Sequence, residues 1–211
     1  MLSANKGIER TARGRINQHG MGRRSCLTRW MDGRQVEGVP VQVIEADLGD
    51  EEHRSAIVDL VDAYSQDPMA DGAPLAADVR DRLASGLRDH PTTLVFLAYD
   101  GARPVGVAVC FFGYSTFAAA PLINIHDLYV ASVARGRGVS RALLDAVSNR
   151  AVSDGCCKVT LEVLENNARA RLVYEAAGFS QATYLPETGG ALFMTKPLLA
   201  IQQRHRADGV R

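Results

Sequence analysis

The segment Ala134–Ser140, with the sequence ARGRGVS, has the residue types of an anion site. Two arginines and two glycines alternate over residues 135–138, immediately before apolar residues at helical spacing. The first amides of a helix lack intrahelical acceptors and carry partial positive charge, and glycine lets a ligand approach the backbone closely. The segment therefore predicts a pyrophosphate site at a helix N-terminus. A plain helix-starting turn with solvated arginines is the alternative.

The elements that must position this segment are strands and helices in alternation. Residues 121–131 are almost continuously apolar, which indicates a central strand. The hydrophobic periodicity predicts the order β-α-α-β-β-β-α-β-α-β-β, and so an α/β fold whose mixed central sheet has about seven strands flanked by helices. Its elements are expected at 39–47, 50–67, 75–90, a hairpin over 92–116, 121–131, 138–153, 157–164, 168–177, 180–188 and 190–196.

Composition and charge set the domain boundaries. The 211 residues have zero formal net charge, but residues 1–40 carry eight basic and three acidic side chains. This segment predicts a disordered or loosely attached extension, and it lacks the interleaved aromatic residues expected of a nucleic-acid arm. The main domain is expected over 41–197, with a polar tail over 198–211. No apolar run is long enough for a membrane span, no secretory signal is evident, and the cysteine pattern favours the cytoplasm.

Two sequence blocks carry a family resemblance. LYVASVARGRGVSRALLDAV, followed by LEVLENNARARLVYEAAGF, resembles the GNAT superfamily of acyl-CoA-dependent N-acetyltransferases. In that family an Arg/Gln-x-x-Gly-x-Gly/Ala turn binds the coenzyme A pyrophosphate. Arg135, Gly138 and Ser140 hold its key positions, with Ser140 in place of the usual Gly or Ala. The stretch 110–130 further resembles spermidine/spermine-type (diamine) acetyltransferases and their bacterial relatives.

The second block, Asn-x-x-Ala-x-x-x-Tyr-x-x-x-Gly-Phe, begins at Asn167. By resemblance, acetyl-CoA is the cofactor, its pantetheine arm pairs with the strand edge around Val130–Val133, and a backbone N–H near Tyr129 or Val130 donates to the thioester carbonyl. Asn167 binds the coenzyme, caps its helix, or does both. The residues expected at the cofactor are Tyr129, Val130, Val133, Arg135, Gly136, Arg137, Gly138, Val139, Ser140, Asn167 and Tyr174.

Acetyl transfer to an amine needs a proton acceptor and a proton donor. Tyr174 lies at the family's general-acid position, and a buried packing role is the alternative. His126 lies where diamine-acetyltransferase relatives carry a glutamate, and imidazole is a competent base near neutral pH. Strand alternation places His126 and Asp127 on opposite faces, so that only one faces the cleft. Asp127 is the reserve, as a capping or structural acid.

The acceptor is expected to lie between residues 65–74 and 112–117. The candidate substrate-binding residues are Asp67, Asp71, Phe112, Tyr114 and His126. The two aspartates could attract a cationic amine, although solvated turn formers are the alternative. The expected function is an acetyl-CoA-dependent N-acetyltransferase acting on a small-molecule amine. No metal is expected, and a homodimer is one option for the assembly. An acyl-CoA sensor without turnover and a protein or peptide acetyltransferase remain open.

Overall fold

The computed structural model describes residues 29–31, 34–36, 41–182 and 190–196. The chain divides into two compact units, Met1–Gly38 and Val39–Arg211. Within the first unit, strands β1 (Arg29–Met31) and β2 (Arg34–Val36) pair antiparallel. Most of the predicted extension over 1–40, and all of the predicted tail over 198–211, lie outside the described residues.

The second unit contains the helices and strands that the periodicity predicts through residue 177. Helix α1 begins after Asp50, whose carboxylate accepts hydrogen bonds from the amides of Glu52 and His53. The elements are β3 (Gln42–Glu45), α1 (Glu51–Ser65), α2 (Ala77–Asp89), β4 (Thr93–Asp100), β5 (Arg103–Ser115), β6 (Ala120–Val130), a 3₁₀ turn (Ser132–Ala134), α3 (Val139–Ser153), β7 (Val159–Leu161) and α4 (Ala168–Ala176).

The sheet of this unit has five described strands in the order β3-β4-β5-β6-β7. All neighbours are antiparallel except β6 and β7, which are parallel, so the sheet is mixed as predicted. The expected total of about seven strands is not confirmed. Residues 191–196 form no strand, with an isolated bridge at Gly190, and residues 183–188 of the other expected strand lie outside the described residues.

Helices cover both faces of the sheet because its strands alternate apolar side chains between two cores. On one face α1 and α2 pack over β4 and β5, with Ile57 and Leu97 fully buried. On the other face α3 packs through Leu143 and Leu144. Gly106 of β5 permits this approach, since a Cβ there would lie 3.1 Å from Val139 Cγ1.

Strand β6 has two irregularities that shape the site. Its register with β5 shifts from Val109 opposite Asp127 to Cys110 opposite Ile125, which leaves His126 as an extra residue in a β-bulge. Its parallel pairing with β7 stops at Ile125 and Leu161. Beyond Ile125, the β7-side edge of β6 has no partner strand among the described residues.

Candidate active site

The glycine turn before α3 has the backbone conformation of an open cradle. Gly136 and Gly138 have φ angles of 76° and 81°, and no atom lies within 4 Å of a Cβ built at either position. Gly138 is the N-cap of α3, without a side-chain cap. The first amides of α3 have no intrahelical acceptor, so they remain available to an anion. The residues present therefore fit a pyrophosphate.

The two arginines of the turn point to carboxylates of the protein. Arg135 Nη2 lies 2.7 Å from Asp67 Oδ2, and Arg137 Nη1 lies 2.5 Å from Asp100 Oδ2. The pKa of Asp67 is lowered by the hydrogen bond from the Met69 amide and by Arg135. Arg137 likewise lowers the pKa of Asp100. The arginines hold the turn from two sides, and its backbone amides are the groups left for a phosphate.

The open edge of β6 presents backbone groups of Val130. The Val130 carbonyl accepts a hydrogen bond from Arg135 Nε at 2.9 Å, whereas the next amide, that of Ala131, donates to Val105 on β5. The N–H and C=O of a strand residue point to the same side, so the Val130 N–H also faces the open edge. Of the two expected thioester donors, Val130 is the one with this orientation. Val133, expected at the same edge, lies in the 3₁₀ turn and is exposed.

The bulge places His126 and Asp127 on the same face of the sheet, so the expectation from strict alternation is wrong. Asp127 lies opposite Val109, which belongs to the core under α1 and α2. The His126 ring meets Phe111, of that same core, edge to face with centroids 5.6 Å apart. The extra residue reverses the alternation, because Ile125 and Leu128 both belong to the α3-side core.

Asp127 is a partly buried carboxyl on this face. Burial raises its pKa, and the charge of His126 opposes this increase. No described residue donates a hydrogen bond to its carboxylate. His126 itself is exposed. The two side chains therefore offer one exposed imidazole and one desolvated carboxyl at the same bulge.

Tyr174 of α4 and Tyr64 of α1 are near enough for one phenol to influence the pKa of the other. Burial raises the pKa of Tyr174 to about 12, with a smaller contribution from Tyr64. The pKa of Tyr64 is raised by burial and then by the carboxylates of Asp127, Asp67 and Asp71. Tyr64 also lies 5.8 Å from the Tyr129 ring, centroid to centroid. At neutral pH both phenols are protonated and able to donate.

Tyr64 was not identified from the sequence as a site residue, because its helical spacing is that of a core position. Tyr64 lies in the last turn of α1, beside the predicted acceptor segment, and this position could have identified it as a candidate site residue. A second unpredicted contact joins Asn124 Nδ2 to Thr160 Oγ1 at 3.1 Å and to Glu162 Oε1 at 3.3 Å. It lies where β6 and β7 begin to separate.

The remaining predicted residues are not all brought together. Asn167 caps α4, because its Oδ1 accepts from the Ala170 amide at 3.1 Å. Asp71 is exposed in the α1–α2 connection. Phe112 packs on the α3-side core, with the Arg150 guanidinium 5.8 Å from its ring centroid. Tyr114 is 63% exposed near the end of β5. Phe112 therefore lies on the opposite face of the sheet from His126 and Asp127.

These features match a known family. The model of the acetyltransferase (GNAT) family matches residues 53–179, from α1 to the end of the second sequence block. The chain belongs to the GNAT acetyltransferase family. The family resemblance inferred from the two blocks is thereby confirmed.

Curated relatives of known name are similar over part of the chain. A thialysine N-epsilon-acetyltransferase of Bos taurus is 34% identical over 83 residues, which are 39% of this chain and 48% of that protein. N-alpha-acetyltransferase 40 of Saccharomyces cerevisiae is 38% identical over 73 residues, which are 31% of this chain and 26% of that protein. The chain thus spans about half or less of the length of these two relatives.

Solved structures share the fold. An aminoglycoside acetyltransferase from an uncultured soil metagenomic sample superimposes with a TM-score of 0.60 at 15% identity, over 75% of this chain and 96% of that one. A possible acetyltransferase from Clostridium difficile 630 gives 0.62 at 16% identity, over 75% and 99%.

In the described part of the chain, no helix combines the length and apolar character needed to cross a membrane. The same residues contain no group of three or more side chains suited to a metal ion.

Proposed function

We propose that the protein transfers an acetyl group from acetyl-CoA to a primary amine of a small molecule, by direct attack of the amine while both are bound. The observation that carries the proposal is the opening between β6 and β7. The glycine turn follows the open edge of β6, Tyr174 and Tyr64 lie close enough to interact electrostatically, and His126 and Asp127 lie on the adjoining bulge. An anion cradle together with candidate proton donors and acceptors supports the proposal.

The chain's own residues account for coenzyme binding. The amides of Gly138, Val139 and Ser140 would hold the pyrophosphate, and the open edge at Val130 would pair with the pantetheine arm. Acetyl-CoA supplies an activated thioester when bound. The Val130 N–H would donate to the thioester carbonyl oxygen, where negative charge develops during acyl transfer.

The groups near the opening would accept and donate the protons of the reaction. An aliphatic ammonium with a pKa near 10 must lose a proton before it attacks. We propose His126 as the acceptor of that proton, directly or through water, with Asp127 as the alternative on the same face. We propose Tyr174 as the donor to the departing thiolate, because its phenol stays protonated with a pKa of about 12.

The acceptor would enter from the face of α1 and α2. Phe111, Tyr64 and the two bulge residues lie there, and the α1–α2 connection borders it. Thialysine, in the name of the bovine relative, is a small amine, which supports a small-molecule acceptor. The yeast relative's name favours a protein N-terminus as the second candidate. A location in the cytoplasm and assembly as a homodimer remain predictions from the sequence.

The test is amine-dependent release of thiol from acetyl-CoA by the purified protein. The panel would hold putrescine, spermidine, lysine, thialysine, an aminoglycoside, and peptides with a free N-terminus or an internal lysine. Turnover of a small amine supports the proposal, whereas turnover of peptides alone selects the second candidate. Binding of coenzyme A without turnover of any amine would identify a sensor.

A further inference from the structure

The connection between α1 and α2, residues 66–76, is the acceptor loop. Hydrogen bonds join it to α1. The Ser65 hydroxyl donates to the Ala73 carbonyl at 2.8 Å, and the Ala73 amide donates to the Ser65 carbonyl at 3.3 Å. The Leu75 amide donates to Asp62 Oδ1 at 2.8 Å. These contacts join the C-terminal part of the loop to α1.

The N-terminal part of the acceptor loop is held by Asp67. Its Oδ1 accepts from the Met69 amide at 2.9 Å within the loop, and its Oδ2 accepts from Arg135 at 2.7 Å. The Asp67 and Arg135 side chains are 18% and 31% exposed. Fully solvated ion pairs contribute little, but a charge-assisted hydrogen bond that is mostly shielded from water is stronger.

Arg135 carries this contact into the coenzyme side of the site. Its Nε donates to the Val130 carbonyl at 2.9 Å, and its guanidinium lies 5.8 Å from the Tyr129 ring centroid. One side chain therefore joins the glycine turn, the open edge of β6 and the acceptor loop. Both oxygens of the Asp67 carboxylate are already used within the protein, which argues against direct capture of an amine by Asp67.

We propose that Asp67 is a positioning residue, which holds the acceptor loop against the coenzyme turn through Arg135 and so sets the affinity for the amine. The inference rests on the proposed function in that the loop borders the acceptor side of the active site. Asp67 acts through Arg135 and touches neither substrate.

The proposal predicts that Asp67→Asn weakens binding of the amine but not binding of coenzyme A. In Asp67→Asn the loop loses its charged anchor, so the KM for the amine should rise by about fivefold or more, in the usual range for coupled sites. Affinity for coenzyme A should stay equal or increase, because one negative charge beside an anion site is removed and Arg135 is freed. Damage to the fold would weaken both.

The experiment uses the full chain and two measurements that do not need turnover. Hydrogen exchange of the peptide covering 66–76 is compared between wild type, Asp67→Asn and Asp67→Glu, and coenzyme A binding is measured by calorimetry. Asp78→Asn is the matched control, because it removes a carboxylate from an ion pair with Arg82 in which both side chains are about two thirds exposed (69% and 68%). KM values follow for whichever amine of the panel is acetylated.

The expected result is loss of loop protection in Asp67→Asn, partial recovery in Asp67→Glu, no change in Asp78→Asn, and no loss of coenzyme A affinity. A raised KM with unchanged loop exchange would mean that Asp67 contacts the amine itself, which overturns the inference. Unchanged exchange with unchanged KM, or parallel weakening of coenzyme A and amine, also overturns it. If no amine is acetylated, the proposed function fails, while loop exchange still decides whether Asp67 holds the acceptor loop.

Discussion

Asp127→Asn should stabilise the protein and impair its activity. The wild-type carboxyl is partly buried on the bulge of β6, where burial raises its pKa because the charged form loses contact with water. No described residue donates a hydrogen bond to it. A carboxylate that is buried without a partner costs more free energy than a neutral amide buried at the same place. Asp127 retains some contact with solvent, so we expect about 1 kcal/mol, which corresponds to an increase in Tm of about 2–4 °C for a chain of this size.

The dependence of this gain on pH has a defined sign. The folded chain keeps the Asp127 proton to higher pH than the unfolded chain does, since burial raises the pKa in the folded state. At acidic pH both states carry the proton and no penalty exists. The penalty grows as the pH rises past the unfolded-state pKa near 3.9 and is complete above the raised folded-state pKa. The stability gain of Asp127→Asn should therefore be small near pH 4 and grow as the pH rises through the raised folded-state pKa.

Thermal unfolding of both proteins across this pH range, together with amine-dependent thiol release, provides the assay. A higher Tm with a lower kcat/KM is expected. The partly buried Asp127 carboxylate lowers stability, and its loss should impair a reaction that uses it. A lower Tm at pH 7 would show that Asp127 accepts stabilising hydrogen bonds, and the reasoning from burial would be refuted. A higher Tm with unchanged activity would remove Asp127 from the reaction.

Three further substitutions test the other parts of the site. Tyr174→Phe should slow acetyl transfer by around 10²-fold, the worth of one positioned acid; a rate within twofold of wild type assigns Tyr174 to packing. His126→Ala should move or abolish the acidic limb of the pH–rate profile, and an unchanged limb excludes histidine as the titrating base. Gly138→Ala should weaken coenzyme A binding and lower stability by about 1–2 kcal/mol, the strain of a side chain at φ 81°, as measured by calorimetry and thermal unfolding.

The sequence predicted most elements of the second unit because their signals are local. The apolar period of α1 and α3, the turn at Asp100 and Gly101, and the glycine-rich start of α3 are each readable within a few residues. The last two predicted strands rested on short apolar runs joined by a Gly189-Gly190 turn. The structure describes no strand over 191–196, so this weaker local signal did not suffice.

The candidate site was predictable where it depends on backbone and much less where it depends on partners. The cradle at 135–140 follows from glycine and a helix start, and Asn167 from the capping preference of asparagine. The Asp67–Arg135 contact joins residues 68 positions apart. No local pattern specifies such a pair, so a sequence-based interpretation leaves both charges free for ligands.

The bulge at His126 shows most directly why such sites escape sequence patterns. A strand period of two assigns successive residues to opposite faces, and one extra residue reverses that assignment for every residue beyond it. Nothing in the run INIHDLYV marks the extra residue. The pairing with β5 determines where the extra residue lies. Val109 is opposite Asp127 and Cys110 is opposite Ile125, so His126 has no partner on β5. The register of a neighbouring strand thus gives this active site two titratable groups on one face instead of one.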